Sequence, residues 1–333
     1  MMIKREKLEK SRIVIIHHND ADGICSSALF ISLLKKFGNF PVSIFSPKYI
    51  EVDTEVMQQL KNEDYDLIVF LDLPNSELNK FERDYLVIDH HPPKTEHKQM
   101  IFDENHCSSY LTFKFCSTYL NFSKYAWIAC VGCLADKDLN GFEELKEIAI
   151  QRNKELTEEV LNTMVHFISS ARILAEEGVR YALNSLLEAA ESGLPTTILG
   201  STPNSEKLVE LKRKSIIERN YWLSKLSEIA IEHDKFTFVR IRSNLPIQSY
   251  LAGTLANLNQ DKICIVINEE PTKDYAMVEG RTRIDNFDLG KIFREVCKEL
   301  NSSGGGHKKA AGAKILKSEV ENFIKKVIEC DSQ

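Results

Sequence analysis

The chain has 333 residues, 43% of them hydrophobic and 28% charged, which excludes an intrinsically disordered polypeptide and leaves length for two cored domains. A net charge of −6 is not that of a tight binder of long duplex nucleic acid. No apolar run approaches the ~20 residues needed to span a bilayer, and the charged segment Met1–Arg12 lacks an apolar signal core, so a cytoplasmic location with no membrane contact is expected.

Residues 12–16 (Arg-Ile-Val-Ile-Ile) read as a buried strand ending in His17-His18-Asn19-Asp20-Ala21-Asp22-Gly23. Ile24 to Phe37 has helical apolar spacing and stops at Gly38. Pro41–Phe45 is a second strand, and a helix around Thr54–Leu60 leads to a third, Asp66–Asp72, which ends in a carboxylate. A helix over Ser76–Phe81 precedes the strand Tyr85–Ile88. Asp89-His90-His91-Pro92-Pro93 follows, where two prolines forbid continuation of the strand. This alternation predicts an α/β domain with a doubly wound, mostly parallel sheet, whose ligands lie at the carboxyl ends of the strands.

Residues 108–192 read as mainly helical, with apolar periodicity in Tyr110–Leu120, Ala126–Leu134 and Val160–Leu174. Leu134-Ala135-Asp136-Lys137-Asp138-Leu139-Asn140-Gly141 breaks that pattern with two acids. The eight cysteines fit reduced core thiols. The one close pair, in Cys130-Val131-Gly132-Cys133, has apolar neighbours and no second CxxC, so it reads as helix packing. After a loop around Gly193, Pro195 and Gly200–Asn204, Ser205 to about Glu232 reads as one long charged helix. Beyond it, Phe236–Ile241 and Ile263–Ile267 are strands separated by a helix over Ser249–Leu258. A strand or turn near Ala276–Arg283, a helix over Leu289–Leu300, a glycine-rich segment from Ser302 to Ala313, and a closing strand and helix complete the chain. Residues 236–333 carry 15 Lys/Arg against 13 Asp/Glu, and the first 235 carry 28 against 36, a mild polarity that suits a phosphate-bearing substrate. Three regions are expected: a catalytic domain over 1–200, a connector helix over 201–235 and a smaller α/β substrate-binding domain over 236–333.

Four segments deliver Asp or His to what the parallel topology makes one sheet edge: His17/His18 with Asp20/Asp22, then Asp72, then Asp89-His90-His91, and finally Asp136/Asp138. Carboxylates this close repel one another unless cations sit among them. Mixed Asp/His donors suit Mn²⁺, Zn²⁺ or Fe²⁺ better than Mg²⁺, which prefers oxygen and water. The two acids of Asp-Ala-Asp can each face a different ion, and one bridging carboxylate would hold two metals about 3.5–4 Å apart, the geometry of in-line phosphoryl displacement. Later in the chain, Gly304, Gly305 and Gly306 would let backbone N–H groups approach an anion, with His307, Lys308 and Lys309 adding charge. Arg281 and Arg283 are candidate phosphate clamps. His97, His106, His166 and His233 stand outside every motif and read as surface or packing histidines.

In this order, His-His-Asn-Asp-Ala-Asp-Gly, Phe-Leu-Asp72, Val-Ile-Asp89-His90-His91, Leu-Ala-Asp136 and Gly-Gly-Gly-His307-Lys-Lys-Ala-Ala-Gly resemble the DHH–DHHA1 phosphoesterase family over nearly the full chain. The Asp-Ala-Asp-Gly form is similar to the RecJ-like nuclease branch, including its archaeal members, and the length is nearer the nanoRNase architecture. The resemblance implies two divalent cations, Mn²⁺ ahead of Mg²⁺. Asp20 would sit on one metal, Asp22 on the other and Asp72 on both, with His90 and Asp136 completing the ligands of the second metal. It implies Asp89 behind a ligand imidazole and His91 toward the scissile phosphate. The family pattern puts the first-metal histidine four residues before the first Asp, where this chain has Ile16, so His18 is expected to take the role, with His17 the alternative; Asp138 matches no family position and reads as a solvated or helix-capping acid. The implied activity is exonucleolytic cleavage of single-stranded DNA or RNA or of short oligonucleotides, with Arg281, Arg283, Gly304, Gly305, Gly306 and His307 binding substrate. A small-molecule phosphatase or phosphodiesterase (pAp, cyclic dinucleotide or pyrophosphate) and a Cdc45-like replication scaffold are the alternatives. Replication or repair proteins and further copies of the chain are candidate partners.

Overall fold

The computed structural model describes residues 3–47, 60, 64–73, 84–92, 99–285 and 287–331. It divides into two compact units, Met1–Lys212 and Arg213–Gln333. Among the described residues no helix is long and apolar enough to cross a membrane.

The first unit opens with helix α1 (Arg5–Lys10), strand β1 (Ile13–His17), helix α2 (Ala21–Lys36) and strand β2 (Pro41–Phe45). Strands β3 (Leu67–Leu71), β4 (Asp84–Asp89) and β5 (Met100–Phe102) follow. Together they form a parallel sheet in the order β2-β1-β3-β4-β5. Strands β1 and β3 are buried at every position. Alternate side chains meet two different covering layers: Ile13, Ile15, Leu67 and Val69 enter one core, while Val14, Ile16, Ile68 and Phe70 pack with Leu60 on the opposite face. That is the doubly wound α/β arrangement. Strand addition reverses direction between β1 and β3, so their carboxyl ends open the crevice in which such sheets hold ligands.

Helices α3 (Ser108–Ser117), α4 (Ala126–Asp136), α5 (Leu139–Arg152), α6 (Glu158–Ser169) and α7 (Ala175–Ser192) follow the sheet, and the long helix α8 (Pro203–Ile229) contains the boundary between the units. Helix α2 starts three residues earlier than its apolar spacing indicates. Asp20 is its N-cap and accepts a hydrogen bond from Gly23 N at 3.0 Å, which draws the polar Ala21-Asp22-Gly23 into the first turn. The helix expected over Ser76–Phe81, most of that over Thr54–Leu60, and His97 lie outside the described residues.

The second unit contains β6 (Ile231–His233), β7 (Phe236–Ile241), helix α9 (Gln248–Leu258), β8 (Ile263–Asn268), β9 (Tyr275–Thr282), helix α10 (Leu289–Glu299), β10 (Ser303–His307), β11 (Ala310–Leu316) and helix α11 (Val320–Asp331). Its sheet runs β10-β11-β9-β8-β7-β6, with β7 and β8 parallel and the other pairs antiparallel. The glycine-rich segment is a strand rather than the loop expected of it. Residues Ser303–His307 are an edge strand, laddered to β11 from Ser303 opposite Lys314 to His307 opposite Ala310. Helix packing accounts for the glycines: a Cβ on Gly304 would lie 2.4 Å from Cys297 Sγ, and one on Gly305 would lie 2.8 Å from Arg294 Cγ. Both neighbours belong to α10, and a Cβ on Gly290 of that helix would lie 2.3 Å from the Gly306 carbonyl oxygen.

Gly290→Ala is therefore expected to destabilise the protein by about 1–3 kcal/mol through overpacking against backbone. Gly253→Ala, in the middle of α9 with nothing within 4 Å of its added Cβ, is expected to stabilise by about 0.4–1 kcal/mol. Denaturant midpoints of the two variants check the opposite signs.

Candidate metal centre

The motif after β1 is built by the start of α2. Asp20 caps the helix through Oδ1, leaving Oδ2 2.8 Å from His18 Nδ1. Asp22 sits in the first turn, where the helix N-terminus favours a negative charge. It is 2% exposed, and its two oxygens accept from the first-turn amides of α3, Ser108 N at 2.8 Å and Ser109 N at 2.9 Å. Gly23 is required by close approach, since a Cβ there would lie 2.4 Å from the His18 carbonyl oxygen.

Asp72 leaves β3 with φ of 60°, a left-handed conformation rare for a residue with a side chain. Its amide donates to Ile88 O at 3.0 Å, which ties the turn to the neighbouring strand. The carboxylate is 1% exposed and its two oxygens face different partners. Oδ2 lies 3.3 Å from His18 Nδ1, and Oδ1 lies 3.4 Å from His90 Nε2 and accepts from Ser108 Oγ at 3.0 Å. The other nitrogen of His90 is 3.6 Å from Asp136 Oδ2. Two trios result, His18–Asp20–Asp72 and Asp22–His90–Asp136, each with its donor atoms within 4.8 Å of one another. Asp89, fully buried at the end of β4, accepts through Oδ1 from the amides of His90 and His91 and from His91 Nδ1 at 2.8 Å. It therefore orients the His91 ring, and it does not bond the His90 ring.

Charge in this cluster is balanced by protons. Burial opposes the imidazolium, yet Asp20 and Asp72 push His18 up to about 10. The same opposition, with Asp72 as the main partner, pushes His90 up to about 9. Burial would raise Asp72, but hydrogen bonds from His18 and His90 hold it below the usual carboxylate range. Asp22 goes the other way, raised well above that range by burial and by Asp72 and Asp20. Burial likewise raises Asp136, while a hydrogen bond to Asp89 raises His91. The protons on the two histidines stand where a cation's charge would stand, and an Asp/His donor set divided into two trios fits a pair of divalent ions.

His17 is absent from both trios. Its Nδ1–H donates to the His18 carbonyl at 2.8 Å and burial lowers it to about 4, so it is a neutral ring packed beneath the cluster. Asp138 caps α5, accepting from Gly141 N at 2.7 Å, and with 8% exposure it is not solvated. Sequence reasoning misses Ser108 and Ser109, although two serines ahead of an apolar run are a helix-start signal. Arg172 and Ser169 line a pocket with Asp20, Asp22 and Asp136, a placement no local pattern announces.

In the second unit, Arg281 bonds Glu279, its neighbour's carbonyl Gly280 O and Ser249 Oγ at 2.7–3.0 Å, and Arg283 bonds Asn257 Oδ1. His307 is exposed at the end of β10, and Lys309 pairs with Asp285 at 2.6 Å.

Residues 12–135 match the DHH family, N-terminal domain, and residues 239–332 match the DHHA1 domain. No curated protein sequence matches the chain. Among solved structures, the exonuclease RecJ bound to manganese superposes with a TM-score of 0.72 at 18% identity, covering 95% of this chain and 89% of that one. RecJ from Thermus thermophilus in complex with Mn²⁺ gives 0.69 at 19% identity, with 97% of this chain and 52% of that chain covered. CDC45 from Entamoeba histolytica gives 0.58 at 12% identity, with both chains covered at 100%. At these identities the likeness is one of fold.

Because metal must displace protons from His18 and His90, Mn²⁺ binding is expected to release protons at neutral pH and to tighten as pH rises toward about 9. Calorimetric titration in buffers of different ionisation enthalpy measures this. Affinity independent of pH and buffer would contradict the assignment. Asp89→Ala, which releases the His91 ring, is expected to lower activity by roughly 100-fold with little change in metal affinity, and Asp72→Ala to lower both.

Proposed function

The chain joins a DHH domain to a DHHA1 domain and belongs to the DHH–DHHA1 family of phosphoesterases; from that premise we propose that it is a metal-dependent phosphodiesterase, an exonuclease on single-stranded DNA or RNA or on short oligonucleotides. One observation carries the reading: the two oxygens of Asp72 are divided between His18 and His90, so a single buried carboxylate belongs to both donor sets. His18, Asp20 and Asp72 would hold one divalent cation, and Asp22, His90 and Asp136, with Asp72 shared, the other. When bound, the two cations, Mn²⁺ ahead of Mg²⁺ for this donor set, supply Lewis acidity to the phosphodiester and to the attacking water.

The protein's own groups do the remaining work. Asp89 fixes the His91 proton on Nδ1, which leaves Nε2 of a ring that is 31% exposed to meet a phosphoryl oxygen. Asp89 also favours the imidazolium, so His91 offers charge as well as a donor. Arg172 brings a planar guanidinium to the pocket that holds Asp20, Asp22 and Asp136, suited to bidentate phosphate binding. In the second unit, Arg281, Arg283 and His307 with the strand Gly304–Gly306 are the groups assigned to the nucleic-acid backbone. Replication or repair proteins remain the partners expected of a nuclease of this family.

The test is a time course with end-labelled DNA and RNA oligomers, from dinucleotides to twenty-mers, in Mn²⁺ or Mg²⁺. Stepwise release of mononucleotides from one end is the expected result. Hydrolysis of pAp or a cyclic dinucleotide with none of a five-mer would replace the nuclease by a small-molecule phosphodiesterase, and no hydrolysis at all would favour a scaffold. Arg172→Ala is expected to lower kcat/KM by about 10-fold or more, the equivalent of a charged hydrogen bond of about 1.5–3 kcal/mol.

A further inference from the structure

A third group of donors lies in the first unit, outside both trios. Cys107 is the N-cap of α3 and Cys133 lies in the last turn of α4, and their sulfur atoms are 3.5 Å apart. Asp138, at the head of α5, joins them: one oxygen and both sulfurs lie within 4.8 Å of one another. The thiols are at most 1% exposed and Asp138 is 8% exposed, so the group is almost closed to bulk solvent. His106 lies at the rim with its side chain 22% exposed, stacked on Tyr110, and its Nδ1 is 3.1 Å from Asp138 Oδ2. The same oxygen accepts from Cys107 N at 3.0 Å. The carboxylate is thus aimed from both sides beside the sulfur pair.

Two sulfurs and a carboxylate make a softer donor set than the Asp/His centre. Zinc–sulfur bonds of about 2.3 Å and zinc–carboxylate bonds of about 2.0–2.2 Å place tetrahedral donors about 3.5–3.8 Å apart, close to the spacing of the two sulfurs. We propose that Cys107, Cys133 and Asp138 form a zinc site, with His106 as the partner that orients Asp138. Binding would convert both thiols to thiolates, releasing two protons to solvent while Zn²⁺ takes up two sulfur ligands and the carboxylate. The next two residues after Cys107 are Ser108 and Ser109, whose amides hold Asp22. A metal at Cys107 therefore fixes the turn that positions a carboxylate of the Asp/His centre, and joins the start of α3 to the α4–α5 junction. The site is independent of what the Asp/His centre hydrolyses.

Cobalt substitution separates the two kinds of site. Co²⁺ among carboxylates and imidazoles gives no sulfur-to-cobalt charge-transfer absorption, whereas Co²⁺ on Cys107 and Cys133 does. Titrating the intact, reduced protein with Co²⁺ is expected to give a near-ultraviolet band whose saturated intensity corresponds to one thiolate-bound ion per chain and which is abolished by added Zn²⁺. The band should disappear in Cys107→Ser and in Cys133→Ser and persist in Asp72→Ala, which removes a donor of the Asp/His centre and none of these three. Absence of the band at saturating Co²⁺, with all thiols titrating as reduced, would leave only a hydrogen-bonded thiol pair and overturn the proposal. A band that survives both cysteine variants would do the same by placing the metal elsewhere. Since the wild-type titration decides the first point, a variant that fails to fold does not rescue the idea.

Discussion

A carboxylate that keeps 2% of its surface must find its donors inside the protein, and Asp22 finds them in the Ser108 and Ser109 amides. Those amides are free to donate only because they begin α3. One buried group thus locks the N-termini of α2 and α3 together, with both helix dipoles directed at negative charge. Helix α4 closes the arrangement at Gly132, where any Cβ would lie 2.0 Å from Ser109 Oγ and 3.0 Å from Asp22 Oδ1. The sheet crevice supplies the place, and this helix junction supplies the precision.

Electrostatics then dictates what the crevice can hold. Asp20, Asp22, Asp72 and Asp136 converge at strand and helix ends, and two of them are nearly inaccessible to water. Without compensation such a group is unfavourable, which is why the acids draw protons onto His18 and His90 and why Asp22 itself resists ionisation. Cations perform the same service with higher charge density. The left-handed backbone of Asp72, costing of the order of 1–3 kcal/mol, is the local concession that lets one carboxylate serve both trios.

Legibility in the sequence follows range. Asp20, Asp22, Asp72, His90 and Asp136 are readable because each ends a periodic apolar run, and a parallel sheet gathers such ends. The glycines at 304–306 read as a loop along the chain because a missing Cβ has two physical uses. It frees the backbone for a ligand, and it lets a helix lie against a strand. The approach of Cys297 and Arg294 from α10 shows the second use at Gly304 and Gly305. Along the chain Cys133 pairs most simply with Cys130 on its own helix, whereas its sulfur meets Cys107, 26 residues away.

By itself the sequence determined the α/β alternation, the parallel sheet, the second mixed domain and the set of acids and imidazoles at the strand ends. Hydrophobic period and strand-terminating residues are local properties that the chain displays without folding. Tertiary structure decided that His18 rather than His17 joins Asp20 and Asp72, that Asp89 turns toward His91, and that Ser108, Ser109 and Arg172 belong to the site. Those outcomes depend on which amide, oxygen or ring nitrogen lies within about 3 Å, the range of a hydrogen bond. Neighbouring residues along a chain carry no information about that distance until the sheet order and helix contacts are fixed.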